Sequence, residues 1–211
     1  MHMKRFWSLR LTVVLVLLIF GSALFVSSAS AGGSHKETVF RWDIVSIDFT
    51  NGTIGPGGIA SAIAIDGSMI TLSGHGTFVP EDGFGNNDVT GGGTWQTFDK
   101  SGNSTGSGTY KVTGFVSWTV APGVFPPLKD LIGDPAKAHS GLVSLAIQFS
   151  DGSTGVLTVS CHLPGPPAIS PPSIFEGIRT SMGFTDYWNG VPPPAPPGNA
   201  NRTVFHIVGE D

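Results

Sequence analysis

The side chains able to do chemistry are few and scattered. Beyond residue 31 the histidines are His35, His75, His139, His162 and His206. None stands in a His-x-His or His-x-x-x-His pair, so no local spacing builds a metal centre, and neither a metal nor a cofactor is expected. Cys161, the one cysteine, is followed directly by His162. Adjacent residues of a strand point to opposite faces, so these two do not form a nucleophile and base. Cys161 shares its face with Val159 and Leu163 and reads as a core thiol. No Gly-x-Ser-x-Gly elbow occurs. The carboxylates Asp43, Asp48, Glu81, Asp82, Asp88, Glu176 and Asp186 are dispersed, whereas a glycosidase needs two facing each other across a cleft. The loop PEDGFGNND, residues 80–88, lacks the ligand alternation of an EF-hand and reads as a solvated turn.

Aromatic side chains offer binding rather than reaction. A ligand site would draw on Trp42, Trp95, Tyr110, Trp118, Glu176, Asp186, Tyr187 and Trp188. Rings of this kind fill cores, or line the mouth of a barrel and hold an apolar molecule or a sugar. The run Gly183-Phe184-Thr185-Asp186-Tyr187-Trp188-Asn189 beside a proline-rich stretch is the first place to look for a rim.

The elements that must position these groups are strands. The chain has 30 Gly and 16 Pro in 211 residues, with 40% hydrophobic and only 12% charged residues. That profile lacks the charged face of a long helix and the basic excess of a nucleic-acid binder. Runs of β-branched and aromatic residues place strands at 38–49, 59–65, 69–79, 91–98, 106–120, 141–149, 154–163, 174–186 and 202–208, about nine in all. Asp66-Gly67 reads as a tight hairpin turn with positive φ at both central residues. Residues 99–103 and 150–153 are equally short and demand antiparallel neighbours. Residues 126–139 have room for a helix of about a turn or two, limited by Gly133 and Pro135. The proline-rich segments 164–172 and 192–197 read as stiff surface loops. The fold class is therefore all-β, a single antiparallel barrel of about eight or nine strands, with a two-sheet sandwich as the alternative.

One pattern repeats. Gly74-His75-Gly76-Thr77-Phe78, Gly91-Gly92-Gly93-Thr94-Trp95 and Gly106-Ser107-Gly108-Thr109-Tyr110 all read Gly-x-Gly-Thr-aromatic. On three successive strands the glycines would leave room for rings on their neighbours. Arg41 and Asp43 share a face with Val45, Ile47 and Phe49. Two apart on a strand, they can pair, either at a rim facing water or as a polar device inside.

Residues 1–31 have the layout of a cleavable export signal: Lys4, Arg5 and Arg10, then an apolar run from Leu11, then Ala29-Ser30-Ala31, with cleavage expected after Ala31. An uncleaved membrane anchor is the alternative, since the run is near the lower limit for a span. Residues 32–37 would be a flexible leader and 38–211 a single domain. Loss of the signal takes three of the 11 basic groups and no acid, so the net charge moves from −4 to −7. Such a balance disfavours phosphate backbones, so no nucleic-acid partner is expected, and no membrane span follows the signal. A lone cysteine in an oxidising compartment leaves stability to packing. Three sequons, at Asn51, Asn103 and Asn201, lie in or beside predicted turns.

The glycine-bracketed strand at 74–78 and the segment Ser173-Ile174-Phe175-Glu176-Gly177-Ile178 resemble the Phe-Glu-Gly strand of the allene oxide cyclase and dirigent barrels. The resemblance implies an eight-stranded barrel with a central apolar pocket, and carries over no active-site residue. The leading expectation is an exported β-barrel, non-enzymatic, that binds an apolar or amphipathic small molecule or serves structurally at the cell surface. A cyclase- or isomerase-like barrel enzyme and a carbohydrate-binding sandwich are the alternatives. The first needs a shaped pocket with a polar group inside it, the second exposed aromatic rings on one sheet.

Overall fold

The computed structural model describes residues 37–80, 88–164, 174–191 and 201–210. The expected signal, most of the leader, both proline-rich loops except Pro164, and the acidic loop at 81–87 lie outside them. The strands are β1 (Thr38–Asp48), β2 (Thr53–Pro56), β3 (Ala60–Ala64), β4 (Met69–Leu72), β5 (His75–Phe78), β6 (Gly92–Phe98), β7 (Ser104–Ala121), β8 (Lys129–Asp130), β9 (Ala138–Phe149), β10 (Thr154–Cys161), β11 (Gly177–Met182), β12 (Thr185–Gly190) and β13 (Arg202–Glu210). A single 3-10 turn, Pro135–Lys137, sits where a short helix was expected; the Asp134 side chain caps it by accepting from Ala136 N.

The pairings close on themselves. β9 pairs with β10, β10 with β11, β11 with β12, β12 with β3, β3 with β4, β4 with β6, β6 with β7, and β7 returns to β9. All eight contacts are antiparallel, and closure of this kind leaves the ring no free edge. β1 and β13 form a further antiparallel pair. It joins the ring through β9, where Phe205 stands opposite His139, and through β5, where Trp42 stands opposite Gly76.

Several sequence expectations need correction. The run 69–79 is two strands, because the chain bends at Gly74 from the side of β3 to the side of β1. Gly74 has φ +149°, and a Cβ there would stand 2.5 Å from both the Gly92 carbonyl and the Tyr110 hydroxyl. The run 174–186 does not form one strand: residues 174–176 precede β11, and Gly183 at φ +58° turns the chain into a second strand, β12. β2 and β8 are too short for a periodicity argument, and they form the one parallel pair among the described strands, Thr53 opposite Lys129. In the β3–β4 turn only Gly67 has positive φ, at +86°. Ala64 N bonds Ser68 O, and the Asp66 carboxylate accepts from Ser68 N and Oγ, giving a longer turn than the two-residue form expected.

The core is continuous and aromatic. Alternate residues of β9 (Val143, Leu145, Ile147, Phe149) and β10 (Leu157, Val159, Cys161) face inward, with Ala60, Ala62 and Ala64 of β3 opposite in the ring order. Phe40, Trp42 and Ile44 of β1 and Phe205 of β13 join the same cluster. Phe78 stacks on Phe40 at 5.5 Å and on Phe115 at 5.8 Å, and Trp118 lies 4.7 Å from Phe205. Each such ring, fully buried, contributes roughly 1.5–3 kcal/mol relative to exposure.

The repeated glycines explain how the rings fit. Across the β6–β7 ladder Trp95 stands opposite Gly108 and Gly93 opposite Tyr110, so each aromatic of one copy faces a glycine of the other. Trp42 packs over Gly76 and Gly91, where added Cβ atoms would lie 2.8 and 3.1 Å from its indole.

Candidate functional site

The chain offers buried polar groups on one side of β1 and β13 and a strip of partly exposed apolar side chains on the outside of β12, β3, β4 and β6. The polar group forms because β1 alternates: Phe40, Trp42 and Ile44 enter the main core, which turns Arg41, Asp43 and Val45 to the opposite face. There the segment between β7 and β9 covers them. Val45, Ile54 and Val204 make a second small core, with Phe125 and Ile132 of that segment packed on it.

Arg41 and Asp43 pair as their spacing predicted, through two bonds of 2.7 Å. The water-facing rim does not hold for Asp43, whose side chain is only 2% exposed, against 31% for Arg41. Hydrogen bonding to Asp43 raises the Arg41 pKa further. Opposite Arg41 on β13 stands His206. Its Nε2 lies 2.7 Å from Asp130 Oδ2 and both side chains are buried. The other oxygen of Asp130 accepts from Ile132 N at 2.8 Å and Gly133 N at 3.1 Å. His206 Nδ1 has no hydrogen-bond partner among the described residues. An Nε2–H donating to Asp130 satisfies this geometry, and Gly133 covers the ring closely. The pair latches the covering segment; with its ring buried, His206 has no route to a substrate. His139, on β9, has its pKa lowered by burial and then by the neighbouring His206.

Glu176 is a second, half-buried polar group. One oxygen accepts from His162 N at 2.5 Å, the other from Thr203 N at 2.8 Å and Thr203 Oγ1 at 3.2 Å. Burial outweighs these bonds and raises the carboxyl to about 7. The carboxyl thereby ties the end of β10 to the start of β13. Cys161 beside it is a core thiol, its pKa pushed well up by burial and then by the Glu176 charge. Asn201 makes a similar tie at φ +60°: Oδ1 accepts from Ser61 N and Nδ2 donates to Val191 O, both at 2.7 Å.

The sequence-named binding residues do not gather into one pocket. Trp42, Trp95, Tyr110 and Tyr187 are core side chains, and Trp118 packs half-buried against them. Burial raises the phenol pKa of both tyrosines. Trp95 Nε1 donates to Thr109 O and the Tyr110 hydroxyl to Ser73 O, so their polar ends are already engaged. Glu176 is the tie described above. Asp186 and Trp188 alone of this set are exposed, both on β12. An open depression of about 370 Å³ borders Tyr110 on the β7–β9 side, lined also by Lys111, Gln148 and Ser150.

Trp188 does have neighbours that sequence reasoning missed. β3 turns its alanines inward, so Ile63 and Ile65 point outward. Ile63 stands opposite Asn189 of β12 and opposite Met69 of β4, and Met69 stands opposite Phe98 of β6. Directly opposed residues share a face, so Ile63, Met69 and Phe98 form a half-buried apolar strip across β3, β4 and β6, with Trp188 at the β12 bulge next to Asn189. Ile65 is 92% exposed and Trp188 52%. The run Ala-Ser-Ala-Ile-Ala-Ile is apolar at nearly every position, so alternation could not choose its inner face; the signal was residue size, with small side chains where the core holds large rings.

No protein-family model, curated protein or solved structure matches the chain.

Proposed function

We propose that this is an exported β-barrel protein that binds an apolar or amphipathic molecule, and that it binds on the outside of the ring. One observation carries the reading: Trp188 of β12 and Ile65 of the β3–β4 turn are exposed beside a half-buried apolar strip, Ile63, Met69 and Phe98, that crosses β3, β4 and β6, while β3 gives its inward positions to alanine. Single exposed hydrophobes are ordinary, but a contiguous apolar stripe on a sheet marks an interaction surface. Inside, the described rings are stacked on one another, which favours an external site over the central pocket implied by the family resemblance. The export part of the proposal rests on the pattern of residues 1–31.

Titration with 1-anilinonaphthalene-8-sulfonate, a compact amphipathic probe, tests it. The wild-type chain should enhance probe fluorescence saturably, and Ile63→Ser with Trp188→Ser should weaken binding by about tenfold, the loss of one to two kcal/mol of apolar burial. Equal binding by that variant, with its thermal unfolding unchanged, would refute an exterior site.

A further inference from the structure

Polar side chains on neighbouring strands of the ring commonly bond to one another. Ser73 Oγ and Thr94 Oγ1 lie 2.6 Å apart, Ser144 Oγ and Thr158 Oγ1 3.1 Å, and Gln96 Nε2 donates to Ser104 Oγ at 3.0 Å. The depression of about 370 Å³ between β7 and β9 is different. Lys111 and Gln148, which line it, stand directly opposite each other, and Thr109 and Ser150 extend its polar wall. Lys111 Nζ, the Gln148 carboxamide and Thr109 Oγ1 have no hydrogen-bond partner among the described residues. Ser150 Oγ accepts from Thr109 N at 3.1 Å, which leaves its own proton free to donate.

The local sequence opens this space. Tyr110 and Phe149 stand opposite each other and turn into the core, so alternation sends Lys111 and Gln148 outward. On the β6 flank the residue opposite Lys111 is Gly92, and the β9–β10 turn presents Gly152. Neither position carries a side chain to fill the depression.

Charge and size describe the occupant. Lys111 makes no ion pair among the described residues, and no carboxylate lines the depression. Asp151, in the same turn, spends its Oδ1 on Ser153 N at 2.9 Å and Ser153 Oγ at 2.7 Å. An ammonium beside two hydroxyls and a carboxamide suits a carboxylate, whose two oxygens accept several bonds at once. The volume is more than a bare ion fills, leaving room for a body whose own hydroxyls meet Thr109, Ser150 and the Gln148 carbonyl. An apolar occupant would strip water from four polar side chains and return no bonds.

We propose that this depression binds a hydroxylated carboxylate the size of a single sugar acid. The site shares no residue with the apolar strip on β12, β3, β4 and β6 and does not depend on it.

Titration of the full chain with D-glucuronate, followed by amide NMR, tests the assignment. Saturable shifts are expected at Lys111, Gln148 and the β9–β10 turn. Affinity should be weaker by about tenfold for D-glucose, which has the hydroxyls without the charge, and for sulfate, which has charge without the body. Lys111→Met keeps the stem and removes the charge; it should weaken glucuronate binding by about tenfold and leave the melting temperature unchanged. Lys111→Arg, which keeps the charge, should retain most of the binding, and added salt should weaken it in the wild type. Absence of saturable shifts, equal affinity for glucose or sulfate, or undiminished binding by Lys111→Met would overturn the proposal.

Discussion

Trp95 stands directly across the β6–β7 ladder from Gly108, and its indole Nε1 donates to the carbonyl of Thr109 at 3.1 Å. The glycine is needed for that placement. A Cβ at 108 would overlap Ser150 Oγ and come within 2.9 Å of Trp95 Nε1, while Ser150 Oγ itself accepts from Thr109 N.

Gly108→Ala should therefore destabilise the fold by about 1–3 kcal/mol, the usual range for forcing atoms into a packed site. Gly114→Ala, farther along β7, meets nothing closer than Ala146 Cβ at 3.6 Å. It should be neutral or stabilising by a few tenths to about 1 kcal/mol, because alanine restricts the unfolded chain. Urea unfolding of the two variants checks the contrast, and equal losses would refute a ring-specific role for Gly108.

How much of this was legible beforehand follows from the same ladder. The Gly-x-Gly-Thr-aromatic copies announced strands with rings over glycines, because glycine in a strand has few other uses. The hairpins at 99–103 and 150–153 fixed antiparallel neighbours. Arg41 and Asp43 were readable as a pair, since two residues apart on a strand is contact distance. Asp130 and His206 were not, because 76 positions separate them and no local pattern links a two-residue parallel strand to the last strand of the fold. Phe184 and Ile65 escaped for another reason. An apolar residue in a turn is normally assigned to the neighbouring strand, and only the three-dimensional turn shows it in water.

Removing Asp130 should loosen the covering segment. Asp130→Ala leaves His206 Nε2 buried without its acceptor and frees the amides of Ile132 and Gly133, a loss of about 3 kcal/mol by the usual cost of stripping a buried polar partner. Asp130→Asn should lose less, since its carbonyl can keep the two amides and the imidazole can switch tautomer. Limited trypsinolysis checks the location: cleavage after Lys129 and Lys137 should accelerate more in the alanine variant than in the asparagine one.

Glu176 gives a pH signature. Its folded pKa of about 7 lies above the ordinary carboxylate value because burial disfavours the charge. The folded state then holds a proton that the unfolded chain releases, so this group's contribution is full below about pH 4.5 and is lost as pH rises toward 7. A shift of this size is at most about 3 kcal/mol, reduced by the partial exposure of the residue. His139, with its pKa lowered by burial, works in the opposite sense, its contribution falling away as pH drops below about 6.5. The difference between wild type and Glu176→Gln isolates the carboxyl. The variant should be relatively less stable at pH 5 than at pH 8, and a difference that does not change with pH would rule out the raised carboxyl.

Asn201 closes the argument about the ring, because its side chain joins β3 to the end of β12 from a backbone conformation that few residues adopt. Asn201→Ala loses both the acceptor for Ser61 N and the donor to Val191 O, and leaves an alanine at φ +60°. Asn201→Gly loses the same two bonds but not the conformational ease. Each bond is worth about 0.5–1.5 kcal/mol, and left-handed backbone costs an ordinary residue roughly 1–2 kcal/mol more. Alanine should thus be the more destabilising substitution by about 1 kcal/mol, with Asn201→Asp between wild type and alanine because it keeps the acceptor. Thermal melts of the three variants give the order directly. The half-burial of its amide also sets Asn201 apart from Asn51 and Asn103, whose amides donate to Asp48 and Asp99 but lie exposed in turns. Expressed through a glycosylating secretory pathway, the chain should carry glycans at those two positions and none at Asn201, as peptide mapping after enzymatic deglycosylation would read.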